Sequence, residues 1–169
     1  MIGFARDGAV VSARFTSDEA AILVDLASQL VQLLSERGGD ATGDLLFAQL
    51  GIGGSAAAPL DPALARLLPD AYRGDMEAAS DHRRLTERAL VERKMAHARA
   101  FASTLEHHEV SLDGSAVQSW LRTLTDLRLA IAARLQIEFD GDEGDDPATQ
   151  ALYDWLGYLQ GTLIEVIDD

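Results

Sequence analysis

Three stretches of this sequence come close to the side-chain types and spacings that chemistry at a protein site requires. Glu106-His107-His108-Glu109 sets two imidazoles between two carboxylates, and these are ligand types that zinc accepts. Adjacent residues on a helix point about 100° apart, however. The stretch also falls where a helix should end, and histidines there interact well with the helix dipole. It reads as a helix terminus, and no metal site is expected. Asp140-Gly141-Asp142-Glu143-Gly144-Asp145-Asp146 offers a run of carboxylates. A calcium loop needs oxygen ligands at alternating positions, a central glycine and a closing glutamate. Counted from Asp140, the fifth position is Gly144, the sixth is Asp145, and no glutamate closes the loop. A solvated acidic loop over 138–146 is the simpler reading.

The third group is a set of charges in phase with apolar faces. Arg128 falls on the helical face of Leu121, Leu124 and Leu135, and Arg84 and Arg88 share the azimuth of Val91 and Met95. Glu19 sits one turn before Leu23 on an apolar face. Arginine is seldom buried without a partner. Either these side chains pair with carboxylates at the core edge, Glu19 with Arg128 first and Asp126 or Asp154 as alternatives, or Arg84, Arg88 and Arg128 form an anion pocket.

Several chemistries are excluded by composition and motif. The sequence has no cysteine, which removes thiol nucleophiles, thiolate zinc, iron–sulfur ligation and disulfides together. Gly51-x-Gly53-Gly54 lacks the lysine and the preceding strand of a phosphate-binding loop. There is no serine nucleophile elbow, and no Glu-x-x-His pair of the kind that builds di-iron sites in helical bundles. No catalytic residue and no cofactor are expected.

The elements that must position these groups are mostly helical. Ile2 and Phe4 before Asp7-Gly8, with Val10, Val11 and Phe15 after it, predict a hairpin over about 2–15. Thr16-Ser17-Asp18-Glu19 starts a helix, and Leu23, Leu26, Ala27, Leu30, Leu33 and Leu34 give it a face wide enough to suggest a central helix; Gly38-Gly39 ends it. A short helix is expected from Gly43 to Leu50, and a flexible Gly/Ala-rich loop from Gly51 to Pro59. Asp61-Pro62 caps another short helix running to Leu68. The longest helical stretch runs from Asp75 to about Glu106. Its main stripe is Val91, Met95, Ala98, Ala102 and Leu105, and a second stripe of Leu85, Ala89, Ala96 and Ala100 is small enough for a neighbouring helix to approach closely. Val110-Ser111-Leu112 reads as a strand pairing with the hairpin. Asp113 and Pro147 open two more helices with clean apolar faces. The expected class is mainly α: one domain over 1–169, with a bundle of about four main helices (17–168) and a small N-terminal β-hairpin.

Charge narrows the partners. The 169 residues carry 28 acids against 14 bases, a formal net charge of −14. A chain this acidic repels phosphate backbones. Direct nucleic-acid binding would rest on the Arg83–Arg99 helix, whose bases scatter, with Arg93 opposite Arg84, so it is disfavoured. The sign is unevenly spread. Arg83, Arg84, Arg88, Arg93, Lys94 and Arg99 make 83–99 basic, while 135–169 contains acids and no base. Arg83, Arg93, Lys94, Arg99, Asp140, Asp142, Glu143, Asp145 and Asp146 are the expected partner surfaces, whether for another protein or across a homodimer. No apolar run approaches the roughly 20 residues a membrane helix needs, and no secretory signal opens the chain. A cytoplasmic location follows by default.

Three stretches carry a resemblance when taken in order: 61–70 (DPALARLLPD), 125–130 (TDLRLA) and 153–160 (YDWLGYLQ). With the N-terminal hairpin they resemble an actinobacterial family long filed as a domain of unknown function, some of whose members are described as oxidation-sensing transcriptional regulators. The resemblance implies a non-enzymatic cytosolic regulator or adaptor that contacts other proteins, including the transcription machinery. Thiol sensing does not carry over, because there is no cysteine to oxidise, and Met1, Met76 and Met95 are a poor substitute. A small-anion or ligand-binding helical domain built on the arginine cluster is the alternative.

Overall fold

A computed structural model of the protein describes residues 2–39, 55–107, 109–139, 142 and 144–168. The helix expected over Gly43–Leu50 and the first part of the Gly51–Pro59 segment lie outside the described residues, as do His108, Asp140 and Glu143.

Two strands, β1 (Ile2–Asp7) and β2 (Val10–Arg14), form the hairpin, and β3 (Glu109–Leu112) adds to β2, giving an antiparallel sheet in the order β1-β2-β3. The register pairs Asp7 with Val10, so the two-residue turn is Gly8-Ala9. Only Gly8 is left-handed, at φ 60°. The Asp7-Gly8 signal therefore located the hairpin but not its register. Val11 pairs with Leu112 and Ala13 with Val110, and these four are the buried positions of a strict alternation.

Helix α1 (Ser17–Gly39) opens with a reciprocal cap. The Thr16 N–H donates to Glu19 Oε2 at 2.8 Å and the Glu19 N–H donates to Thr16 Oγ1 at 3.2 Å. Asp61 caps α2 (Pro62–Leu67), Asp75 caps α3 (Met76–Thr104) and Asp113 caps α4 (Gly114–Arg134), each accepting from backbone N–H groups of the first turn. Helix α5 (Pro147–Asp168) starts at the expected proline. The chain is mainly α, with four long helices and one short one among the described residues.

The helix at the centre is α4. It packs on α2, α3 and α5, and also meets α1 and β3, whereas α1 packs chiefly on α3 and leaves Ile22 46% exposed. Trp120 of α4 is fully buried and joins the sheet to the bundle. Its ring stacks on Phe15 at 5.6 Å between centroids, meets Phe4 edge-on at 5.6 Å and lies 4.5 Å from Phe101, while its Nε1 donates to Thr104 Oγ1 at 2.9 Å.

The expected main stripe of α3 is the face it buries, with Val91, Ala98 and Leu105 in the core and Met95 and Ala102 packed against it; the second stripe is not buried. Ala79, Arg83, Glu87, Val91, Ala98, Phe101 and Leu105 turn inward. The stripe of Leu85, Ala89, Ala96 and Ala100 is exposed, and no helix among the described residues covers it. The inward stripe holds together because it carries a charge triad. Glu87 accepts from Arg37 Nε of α1 at 2.8 Å and from Arg83 Nη1, and Arg83 also donates to Asp70 Oδ1 at 2.7 Å and to the Leu68 carbonyl at 3.0 Å. Every strong charge in this stripe thus has a partner of opposite sign.

Candidate functional site

The expected charge pairs are rearranged in three dimensions. Glu19 serves the cap of α1, where the Thr16 N–H holds its carboxyl below the ordinary value, and Arg128 finds other partners. Asp126 pairs with Lys94, and Asp154 accepts from Gln150. Arg84 pairs with Asp81 one turn back, and Arg88 pairs with Glu92 one turn on. Arg128 lies on α4, in a cleft that neither of them lines. Arg84, Arg88 and Arg128 therefore do not converge, and the anion pocket expected from those three residues does not form.

The expected partner surface is also smaller. Arg83 is 6% exposed and belongs to the buried triad, because its side chain, one position earlier than Arg84, is in phase with Ala79 and Val91. Lys94 is turned inward against Asp126. Asp142 accepts from the Phe139 and Glu138 N–H groups, which lower its carboxyl pKa, and Asp146 caps α5, its pKa lowered first by the Thr149 hydroxyl and then by the Ala148 and Thr149 N–H groups. Both acids are engaged in local turns. Asp145, Arg93 and Arg99 are exposed.

Two concave regions flank α4. The first is a groove of about 490 Å³ between α3 and α4, with half-buried Leu90 and Leu121 and with Arg93, Lys94, His97, Arg122 and Asp126 along it. Lys94 Nζ donates to Asp126 Oδ1 at 2.6 Å, and His97 Nδ1 lies 3.1 Å from Ser119 Oγ. Burial raises the Asp126 carboxyl above its ordinary value, outweighing the opposing pull of Lys94. Arg93 and Arg122 are exposed and make no hydrogen bond or ion pair among the described residues. The sequence reading named Arg93 here and missed Arg122, Leu90 and His97. Only the α3–α4 packing brings Arg122 to the same groove as Arg93.

The second is a cleft of about 340 Å³ between α2, α4 and α5, with Arg66, Thr125, Arg128, Tyr153 and Gln160 on its walls. Arg128 donates to Gln160 Oε1 at 3.0 Å and to the Tyr153 hydroxyl at 3.1 Å, and its guanidinium carbon lies 4.7 Å from the Tyr153 ring centroid. Gln160 in turn donates to Thr125 Oγ1 at 2.8 Å. Arg66 donates to the Ile137 carbonyl at 2.5 Å. The stretches 61–70, 125–130 and 153–160 thus meet at one place.

Neither region gathers a reactive set. Among the described residues there is no group of three or more histidine or acidic side chains placed to hold a metal ion. No described helix is long and apolar enough to cross a membrane.

The fold and its clefts define a mainly helical domain with a small three-stranded sheet, in which arginines line two concave surfaces. The chain belongs to the family described as Domain of unknown function (DUF2017), whose profile matches residues 1–167. It is similar to proteins named oxidative stress regulator AosR from Mycobacterium bovis and Mycobacterium tuberculosis. Each is 32% identical, over 96% of this chain and 84% of the relative. No solved structure matches it.

Proposed function

We propose that this chain is a non-enzymatic cytoplasmic regulator that works by docking on another protein through the α3–α4 groove. The observation that carries the reading is the pair of exposed guanidiniums, Arg93 and Arg122, which make no direct ion pair among the described residues of a chain whose net charge is −14, Arg122 feeling Asp126 only at longer range. Where acids outnumber bases two to one, an arginine that pairs with none of them is available to a carboxylate from outside. The half-buried Leu90 and Leu121 beside them supply the apolar contact that a protein interface needs at its centre. The relatives named as oxidative stress regulators support a regulatory role, and the family resemblance points to the transcription machinery as the class of partner. Without cysteine, any response to oxidant reaches this chain through its partner or through a signal other than its own thiols.

The test is affinity capture from the native host at low and high salt, comparing the wild type with the Arg93→Glu/Arg122→Glu double variant by quantitative mass spectrometry. A specific protein partner should be captured by the wild type and depleted at least about tenfold by the charge reversal, since losing charge-assisted bonds at an interface costs on the order of 2–5 kcal/mol. The double variant should retain the wild-type unfolding midpoint, because neither arginine holds the fold together. Partner recovery that ignores the double charge reversal rules out the groove. Recovery of no specific partner by either form, in either salt, removes the reading altogether.

A further inference from the structure

The cleft between α2, α4 and α5 presents a different problem. Arg128 and Arg66 are both half-buried, and both are bonded only to neutral acceptors: an amide oxygen and a phenol for Arg128, a backbone carbonyl for Arg66. No carboxylate pairs with either among the described residues. Among the described residues the one acid lining the cleft is Glu138, which is exposed. Among the described residues, two guanidiniums taken partly out of water thus stand beside a single exposed carboxylate.

Its shape is set in advance. The Tyr153 ring lies against the Arg128 guanidinium, and Gly157 backs it so closely that a methyl group there would stand 3.4 Å from the guanidinium carbon. A guanidinium has five N–H donors. Two of those on Arg128 are occupied and its Nε is buried against Gly157, which leaves two Nη N–H groups as the donors for a ligand. Donors held in place before a ligand arrives bind it without the entropy cost of ordering a free side chain. Leu129 and Ala132, on the same helix as Arg128, and Ile137 beyond its end add apolar side chains to the cleft lining.

We propose that this cleft is a binding site for a small organic anion, whose carboxylate or phosphoryl head is held between Arg128 and Arg66 and whose apolar body lies toward Ile137. A volume of about 340 Å³ admits a metabolite-sized acid and excludes a folded partner. The planar fork of arginine matches both carboxylate and phosphoryl oxygens. The site is separate from the α3–α4 groove and stands whether or not that groove binds a protein.

The experiment is a thermal-shift and NMR titration of the full chain with inorganic phosphate and, separately, with succinate, at an ionic strength held constant with sodium chloride. Saturable stabilisation is expected from at least one anion, with the Gln160 side-chain amide resonances moving along the same isotherm. A response to phosphate alone identifies a phosphoryl ligand, and a response to succinate alone a carboxylate. Arg66→Gln should weaken binding about tenfold, the size of one charge-assisted hydrogen bond. Arg128→Gln should abolish binding. Should that variant fail to fold, Arg66→Gln decides alone, since Arg66 leaves the Tyr153–Arg128 contact intact. Arg93→Gln should bind as the wild type does. The proposal is overturned if neither anion gives a saturable response, or if the response is unchanged in Arg66→Gln.

Discussion

Lys94 Nζ lies 2.6 Å from Asp126 Oδ1, joining α3 to α4 beneath the basic groove, and the two side chains are only 18% and 7% exposed. Removing one member of a buried pair leaves the other charged in a poor solvent, which costs about 3–5 kcal/mol. Lys94→Met should therefore lower stability by that order in urea unfolding at neutral pH. Lys94→Met/Asp126→Leu, which removes both charges, should recover most of the loss. A double variant as unstable as the single one would mean that the pair acts through packing instead of charge.

Glu87 is held more tightly still, 5% exposed between Arg37 of α1 and Arg83 of its own helix. Glu87→Gln keeps the shape and removes the charge, leaving two guanidiniums facing each other. The expected loss is again about 3–5 kcal/mol, read as a lower urea midpoint with an unchanged slope. Arg84→Gln, one position along from Arg83 but on the surface, should cost no more than about 1 kcal/mol. Equal effects at the two sites would contradict the burial of the triad.

That contrast shows where the sequence was legible. Caps and turns are local, so Asp61, Asp75 and Asp113 announced their helices correctly, and period-two alternation placed β3 against the hairpin. The phase of the first half of α3 was harder to read. Arg84 lies seven residues before Val91 and Arg83 eight, and both offsets suit a helical stripe. The deciding fact is that Arg37 on α1 reaches Glu87, a contact 50 residues away. Glu19 illustrates the opposite error. Its role was visible as Thr-x-x-Glu, a local cap, yet the expectation looked for a distant arginine. Arg128 was correctly singled out as a charge on an apolar face, but its neutral partners, Tyr153 and Gln160, lie on a helix whose docking no spacing rule predicts.

Acid should unfold the protein through its caps. Backbone N–H groups hold Glu19, Asp113 and Asp142 below their ordinary values of 4.5 for Glu and 3.8 for Asp, and the Thr149 hydroxyl and nearby N–H groups do the same for Asp146. A lowered carboxyl contributes stability that is complete above its ordinary value and is lost as pH falls through the folded value. Asp126, raised by burial, works in reverse: its contribution is complete below 3.8 and is lost as pH rises through its higher folded value. Four groups against one set the direction. The melting midpoint should hold steady at mildly acidic pH and fall once pH drops below about 4.5, the ordinary Glu value. Asp113→Asn, which can still accept the cap bonds, should flatten that fall. A midpoint that rises on acidification would show Asp126 to dominate.

Gln136 is the one non-glycine among the described residues with positive φ, at 57°, immediately after the end of α4. The left-handed turn lets the Gln136 N–H reach back to the Ala133 carbonyl at 3.4 Å and the Ile137 N–H to the Ala132 carbonyl at 3.0 Å. It also aims the Ile137 carbonyl at Arg66. An L-residue in this conformation is strained by roughly 1–2 kcal/mol. Glycine removes that strain but costs about 0.5–1 kcal/mol in unfolded-chain entropy. Since the Gln136 side chain is exposed, little else is lost. Gln136→Gly should therefore raise stability by about 0.5–1 kcal/mol, or a melting shift of roughly 1–4 °C for a chain of this length. Gln136→Val, whose branched Cβ fits this conformation worst, should lower it. If glycine destabilises and valine does not, the helix does not end in the left-handed turn that sets the wall of the anion cleft.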